Sequence, residues 1–197
     1  MKIIVILFIL GFSFPSDQIP SPKQNKPIML KGAIIHTVSK GIIENGDIII
    51  ENGKIVSIGK FLTNEPYGTE IIDVSGKHIF PGLISSISTL GLQEIGAVRA
   101  TRDYAETGKV NPNVRANVSY NTDSELIPIS RSNGLLIALS APRSGLISGM
   151  SSLMMLDGWT WEDATLKSPI GIHIFWPSMN KPKINKNKKD KDKNKKL

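Results

Sequence analysis

Residues 80–92 read FPGLISSISTLGL, and the reading of this stretch decides the fold. Pro81-Gly82 interrupts whatever precedes it, because Pro has no N–H to give a ladder and Gly accepts turn conformations. Residues 83–88, LISSIS, then form a short strand that ends in small polar side chains. Side chains alternate along a strand, so Ser85, Ile87 and Thr89 point to one side of it.

Upstream, from Ile28 to about residue 80, the texture is short β-like runs separated by turns: IMLKGAIIHTV, GDIIIENGKIVSIG and TEIIDVSGKHIFPG. The central run is a hairpin about Asn52-Gly53, the dipeptide that a type I′ turn favours because both of its central residues need positive φ. A second tight turn is expected at Ser75-Gly76. Strands of this length and spacing predict a small β-sandwich or meander over residues 28–80. Downstream, residues 91–120 predict an ordered but irregular insertion. Residues 122–132, TDSELIPISRS, predict a helix capped by Thr122 or Asp123, with Glu125 as the capping-box carboxylate and Pro128 limiting its regularity. Gly134 then precedes LLIALSAP, a continuous apolar run of the kind buried parallel strands use. Residues 152–157, SLMMLD, are a further apolar stretch; Trp161-Glu162-Asp163 open a short helical turn, and residues 171–177, GIHIFWP, read as a strand. A β part followed by strand, helix, strand argues for βα units after residue 81.

The 197 residues set a prior of one to two domains, and 40% hydrophobic residues suffice for a core. The absence of Cys removes disulfides, thiolate metal sites and cysteine nucleophiles. The net charge of +7 does not describe the folded part: residues 181–197, KPKINKNKKDKDKNKKL, hold nine Lys and two Asp, which leaves the rest formally neutral. Residues 180–197 therefore read as a solvated Lys-rich tail, and no specific nucleic-acid partner is expected. At the other end Met1-Lys2 precedes the apolar run IIVILFILGF, too short to span a bilayer comfortably. With small residues at Gly11 and Ser13 this reads as a signal peptide over residues 1–16, so the chain is expected to be exported, periplasmic or extracellular, with no transmembrane segment after cleavage. Residues 17–27, with Pro20, Pro22 and Pro27 among Ser, Gln and Asn, read as a linker.

The stretches ENGKIVSIG and VSGKHIFPGLI resemble the hairpin and the barrel entry of the amidohydrolase superfamily. AVRATRDYAETGKVNPNVRA and LISGMSSLMMLDGWTWEDATLKSP are similar to an exported subgroup related to imidazolonepropionase. The resemblance runs from about Ile28 to Met179. It implies a composite β-sandwich over residues 28–80 beside the first strands of an incomplete (β/α)8 barrel over residues 81–179. It also implies hydrolysis of carbon–nitrogen bonds, as in cyclic amides, by water activated on a divalent metal, typically zinc. In the family an Asp follows PGLI and an H-x-H pair follows the Asp; these positions fall on Ser85, Ile87 and Thr89. Ile has no donor atom and Thr is a poor neutral ligand, so no cofactor is expected for this chain and the expectation is an inactive isolated chain. A complete barrel takes about 250 residues, so the missing C-terminal half or a second chain is the expected partner. The other reading is a non-catalytic exported binding protein on the same scaffold.

His36 and His78 fall in predicted strands and turns, and His173 alternates with Ile172 and Ile174; all three read as structural or surface residues. Ser85, Glu94, Arg99, Arg102, Asp103 and Asp157 are the possible pocket residues. For the charged run 94–103 a salt-bridged loop is the competing reading, and for Asp157 a turn or helix cap. Ser130, Ser140, Ser144 and Ser148 form no G-x-S-x-G elbow. Trp159, Trp161, Phe175 and Trp176 read either as a stacking platform or as packing at the edges of a core.

Overall fold

A computed structural model describes residues 19–177 and 179. The expected signal peptide, residues 1–16, and Lys-rich tail, residues 180–197, lie outside the described residues. Residues 19–27 form neither strand nor helix, but they are held: Gln24 donates to the Ile50 carbonyl (2.7 Å) and accepts from the Gly53 N–H (2.8 Å).

Five strands follow: β1 (Ile28–His36), β2 (Ile42–Glu51), β3 (Lys54–Lys60), β4 (Glu70–Asp73) and β5 (His78–Ile79). The β2–β3 hairpin closes on Asn52 (φ 52°) and Gly53 (φ 70°), both left-handed as a type I′ turn requires. The Ser75-Gly76 turn also forms, with Gly76 at φ 75° and Lys77 N–H donating to the Val74 carbonyl at 3.0 Å. Of the expected sandwich or meander, β1, β2 and β3 run as an antiparallel meander, and among the described residues no second layer forms. The five strands form one mixed sheet of order β3-β2-β1-β4, in which β5 also pairs with β1. The reason lies in β1, which pairs antiparallel with β2 along one side and accepts β4 and then β5, both parallel, along the other.

Gly32, at φ 79°, marks the break between these two parallel pairings, and the β1–β2 register shifts beside it. A bulge of this kind frees a backbone N–H from the ladder. Buried Asp47 on β2 takes it up: one carboxylate oxygen accepts from Gly32 N–H and the other from Leu62 N–H, each at 3.0 Å. Ala33, Ile35 and Ile48 close the core of this sheet, packed by Leu30, Ile43, Ile50, Val74 and Ile79.

The second half contains β6 (Leu83–Ser88), α1 (Leu126–Ser132), β7 (Leu135–Ser140), β8 (Ile147–Met150), β9 (Ser152–Met155), α2 (Trp161–Ala164), β10 (Thr165–Lys167) and β11 (Ile172–Ile174). β6 and β7 are parallel, joined through α1, and make the expected strand–helix–strand unit. α1 begins later than its sequence signal: Glu125 is its N-cap and makes no side-chain cap bond. The expected capping hydroxyl of Thr122 donates instead to the Trp159 carbonyl at 3.1 Å. Pro128 fits because it sits in the first turn, where an N–H has no helical partner to lose.

After β7 the chain departs from a run of βα units. β9 is antiparallel to β7 and β10 antiparallel to β9, giving a sheet of order β10-β9-β7-β6. A parallel return needs a crossover, usually helical, and the link from β7 to β9 holds only the short strand β8. β8 pairs instead with β11 in a separate two-stranded ribbon. Leu90, Tyr120, Ile127, Ala138, Met154, Leu156 and Ala164 form the core of this half. α2 is a single turn capped by Thr160, whose hydroxyl accepts from Asp163 N–H at 3.3 Å. The stretch 91–120 is irregular but ordered, with short 3-10 turns at Arg99–Thr101 and Ala116–Ser119.

Candidate functional site

Parallel strands bring their carboxyl ends to the same side, and loops leaving those ends build sites. Here β6 and β7 end level, Ser88 pairing with Ser140. The two outgoing chains are tied together by the Ala141 N–H, which donates to the Ser88 carbonyl at 2.9 Å. Over this end lies a cavity of about 570 Å³ lined by Ile87, Thr89, Pro142, Arg143, His173 and Phe175, among others.

The third wall arrives through the β8–β11 ribbon. His173 pairs with Gly149, and Phe175 N–H donates to the Leu146 carbonyl at 2.9 Å. Gly149 is required there. Its φ is +127°, and a Cβ would fall 2.8 Å from the Val114 carbonyl oxygen. His173, expected from the sequence to be a structural or surface residue, thus lines the cavity wall. Only the ribbon pairing, which no local pattern announces, puts it beside Ile87 and Thr89.

The residues singled out from the sequence are dispersed. Ser85 sits mid-β6 opposite Ala138. Glu94 accepts from Ser124 Oγ (2.8 Å) and Asn121 Nδ2 (3.3 Å), which ties down the loop ahead of α1. Arg99 is exposed in its 3-10 turn, and Arg102 lies on an isolated bridge to Gln93 with its Nε buried and unpartnered. Asp103 is exposed, with its N–H on the Leu92 carbonyl at 2.8 Å. Asp157 forms an ion pair with Arg131 (2.8 Å) and accepts from Ser21 N–H (3.3 Å) beside a small cavity that also touches Tyr120. None of these six lines the cavity over β6 and β7.

His36 and His78 meet at the surface, Nε2 to Nδ1, 2.9 Å apart. Their ring centroids are 5.2 Å apart, the separation of two imidazoles bonded head-on, so one ring nitrogen donates its N–H and the other accepts. Phe80 stacks on His36 at 4.1 Å and 11°. Ser130, Ser140, Ser144 and Ser148 all donate to backbone carbonyls. Of the four aromatics, Trp161 packs against the core, Phe175 lines the cavity, and Trp159 and Trp176 are exposed.

No protein-family model matches the chain. The amidohydrolase from Thermotoga maritima superposes with a TM-score of 0.69 at 27% identity, over 75% of this chain and 38% of that one. The chain carries an amidohydrolase-superfamily fold. Dihydroorotases from Trichlorobacter lovleyi and Geobacter metallireducens are each 42% identical over 57 residues, 29% of this chain. The matched stretch is 13% of the length of each of these relatives. The mostly β-sheet chain thus resembles the composite-domain part of that fold.

A divalent ion at the end of β6 would need donors there, and the donor chemistry does not fit. Ile87 offers none and Thr89 a neutral hydroxyl. Among the described residues no group of three or more His, Asp or Glu converges in a way that could hold a metal. Also among the described residues, no helix is long and apolar enough to cross a membrane.

Proposed function

We propose that this chain carries the composite sheet and barrel entry of an amidohydrolase-like hydrolase acting on carbon–nitrogen bonds such as those of cyclic amides, and that the isolated chain is inactive. The fold shared with the Thermotoga amidohydrolase supports the reaction class. The observation that carries the inactivity is the pair Ile87 and Thr89 at the carboxyl end of β6, where the family's two metal-binding imidazoles would stand. In this reading hydrolysis needs a further barrel portion, in the same or a second chain, that pairs with β6. That strand is the edge of its sheet, with Leu83, Ile84 and Ile87 61%, 62% and 69% exposed. An apolar edge of this kind is a template for added strands. Export rests on the apolar run after Met1-Lys2, and N-terminal sequencing of the secreted protein tests it.

The test is to assay the purified chain for ring opening of dihydroorotate and hydantoin with and without added Zn²⁺. No turnover above background is expected, and Zn²⁺-dependent turnover overturns the inactivity. A second reading, a non-catalytic exported binding protein, is favoured by the cavity itself, which persists without the metal pair. A free-standing binder unfolds in one cooperative transition and needs no complement.

A further inference from the structure

We infer that the cavity over the carboxyl ends of β6 and β7 is a binding site for a small organic carboxylate with an apolar or aromatic body, held by Arg143 and His173. The inference rests on the second reading above, the binding protein, because the amidohydrolase reading would place its metal pair in this cavity, and it involves no hydrolysis. Three polar side chains on its wall lack protein partners among the described residues: the Arg143 guanidinium, the His173 imidazole and the Thr89 hydroxyl. All three can donate. Arg143 is a permanent cation with five donors and no acceptor, so a ligand that satisfies it must bring acceptors and negative charge. No carboxylate lines the cavity to neutralise it internally. The rest of the wall, Ile87, Pro142, Ile174 and Phe175, is apolar and asks for a hydrophobic body behind the anionic head.

The donors are mounted on pinned backbone. Arg143 N–H donates to the Tyr104 carbonyl at 2.7 Å, and Ser144 N–H to Ser148 Oγ at 2.9 Å. Pro142 stiffens the approach from β7, and the β8–β11 pairing fixes His173. The anchoring of both elements favours a site already shaped before the ligand arrives. A volume of about 570 Å³ admits a small molecule.

Phenylacetate, with phenylacetamide as its neutral counterpart, tests this on the full chain by calorimetry and by ¹H–¹⁵N spectra of the histidine rings. Phenylacetate is expected to bind with Kd of about 1 mM or tighter, a value in reach of a ligand of about ten heavy atoms. Arg143→Gln is expected to weaken it about tenfold or more, Arg143→Lys less, and phenylacetamide to bind about tenfold more weakly than phenylacetate. The His173 ring signals should move during the titration while those of His36 and His78 stay. Arg143 is exposed, so its variants should fold, and their melting curves confirm it. The inference is overturned by equal binding of the amide, by unchanged binding in Arg143→Gln, by a still His173, or by no saturable binding up to about 20 mM, well above the expected range.

Discussion

Tyr120 offers a test of the core in which removing an atom should help. The residue is 5% exposed, and its hydroxyl is buried with no hydrogen-bond partner among the described residues. Its ring is fixed against Gly91, where a Cβ would come within 2.3 Å of Tyr120 Cε2. Tyr120→Phe keeps the ring and deletes an unsatisfied polar group, whose burial costs about 1–3 kcal/mol. Part of that gain is lost to the small void left behind, so a net stabilisation of about 1 kcal/mol is expected. At roughly 2 cal/mol/K per residue, about 160 folded residues give an unfolding entropy near 0.3 kcal/mol/K, so Tm should rise by about 3 °C. Alkali separates the two proteins further. Burial, aided by the Glu94 charge, pushes the Tyr120 hydroxyl above its ordinary value of 10.0. The folded state then holds a proton that the unfolded state releases. This contribution is whole below pH 10 and is lost as pH rises from there toward the raised value, by up to about 1.4 kcal/mol per pH unit. Tyr120→Phe removes that loss. Urea melts at pH 7 and at pH 10.5 measure both effects. A destabilisation of more than about 1 kcal/mol at pH 7 would refute the reasoning, since it would mean that the hydroxyl is bonded in solution, for instance to a water in the small cavity beside it.

Asp47→Ala should cost about 3 kcal/mol or more in a urea melt, because Gly32 and Leu62 N–H groups lose a buried charged acceptor, and Asp47→Asn about half of that, since its single carbonyl serves one of them. Gly149→Ala should strain a φ of +127° and push on Val114, costing about 2 kcal/mol and weakening phenylacetate binding together with stability, whereas Arg143→Gln changes binding alone. Ser75 Oγ (2.6 Å) and then Ser75 N–H (2.9 Å) bond to Asp73 and hold its carboxyl below the usual value, so its stabilising contribution is present above pH 3.8 and fades as pH falls through the lowered value. Ser75→Ala should move the Asp73 titration seen by carboxyl NMR back up toward 3.8.

The parts of the fold that were legible in the sequence are those with a local cause. Asn52-Gly53 and Gly76 announce their turns because few other residues accept positive φ, and LISSIS follows Pro81, which has no N–H to give a ladder, as a strand. Orientation was less legible. SLMM is a strand whichever way it runs, and only the brevity of the link through β8 makes it antiparallel to β7. Thr122 carries a good capping hydroxyl, but a carbonyl from residue 159 competes for it and wins, a contact separated by 37 positions. The site was read least well for the same reason. Arg143 and His173 carry no motif; Arg143 comes near Thr89 through the β6–β7 pairing and His173 through the β8–β11 ribbon.

These two kinds of information explain how a chain can share the amidohydrolase fold while, on the proposed reading, it holds Ile87 and Thr89 where that family would hold metal ligands. The resemblance includes residues with a steric job: Gly53 and Gly76 take positive φ, Pro81 lacks an N–H, and Gly82 has no room for a Cβ beside Leu136. Bending depends on steric permission and is indifferent to what a neighbouring side chain could coordinate. Ile87 suits the pleated β6, because β-branched residues fit a sheet, and Thr89 lies just past its end. Together they place an apolar side chain and a hydroxyl on the cavity wall. What such a cavity can hold is then set by the charges that remain on its wall, and among them the Arg143 guanidinium is the permanent one. Scaffold and chemistry are therefore separable in this chain at single positions, and the ligand class follows the wall rather than the fold.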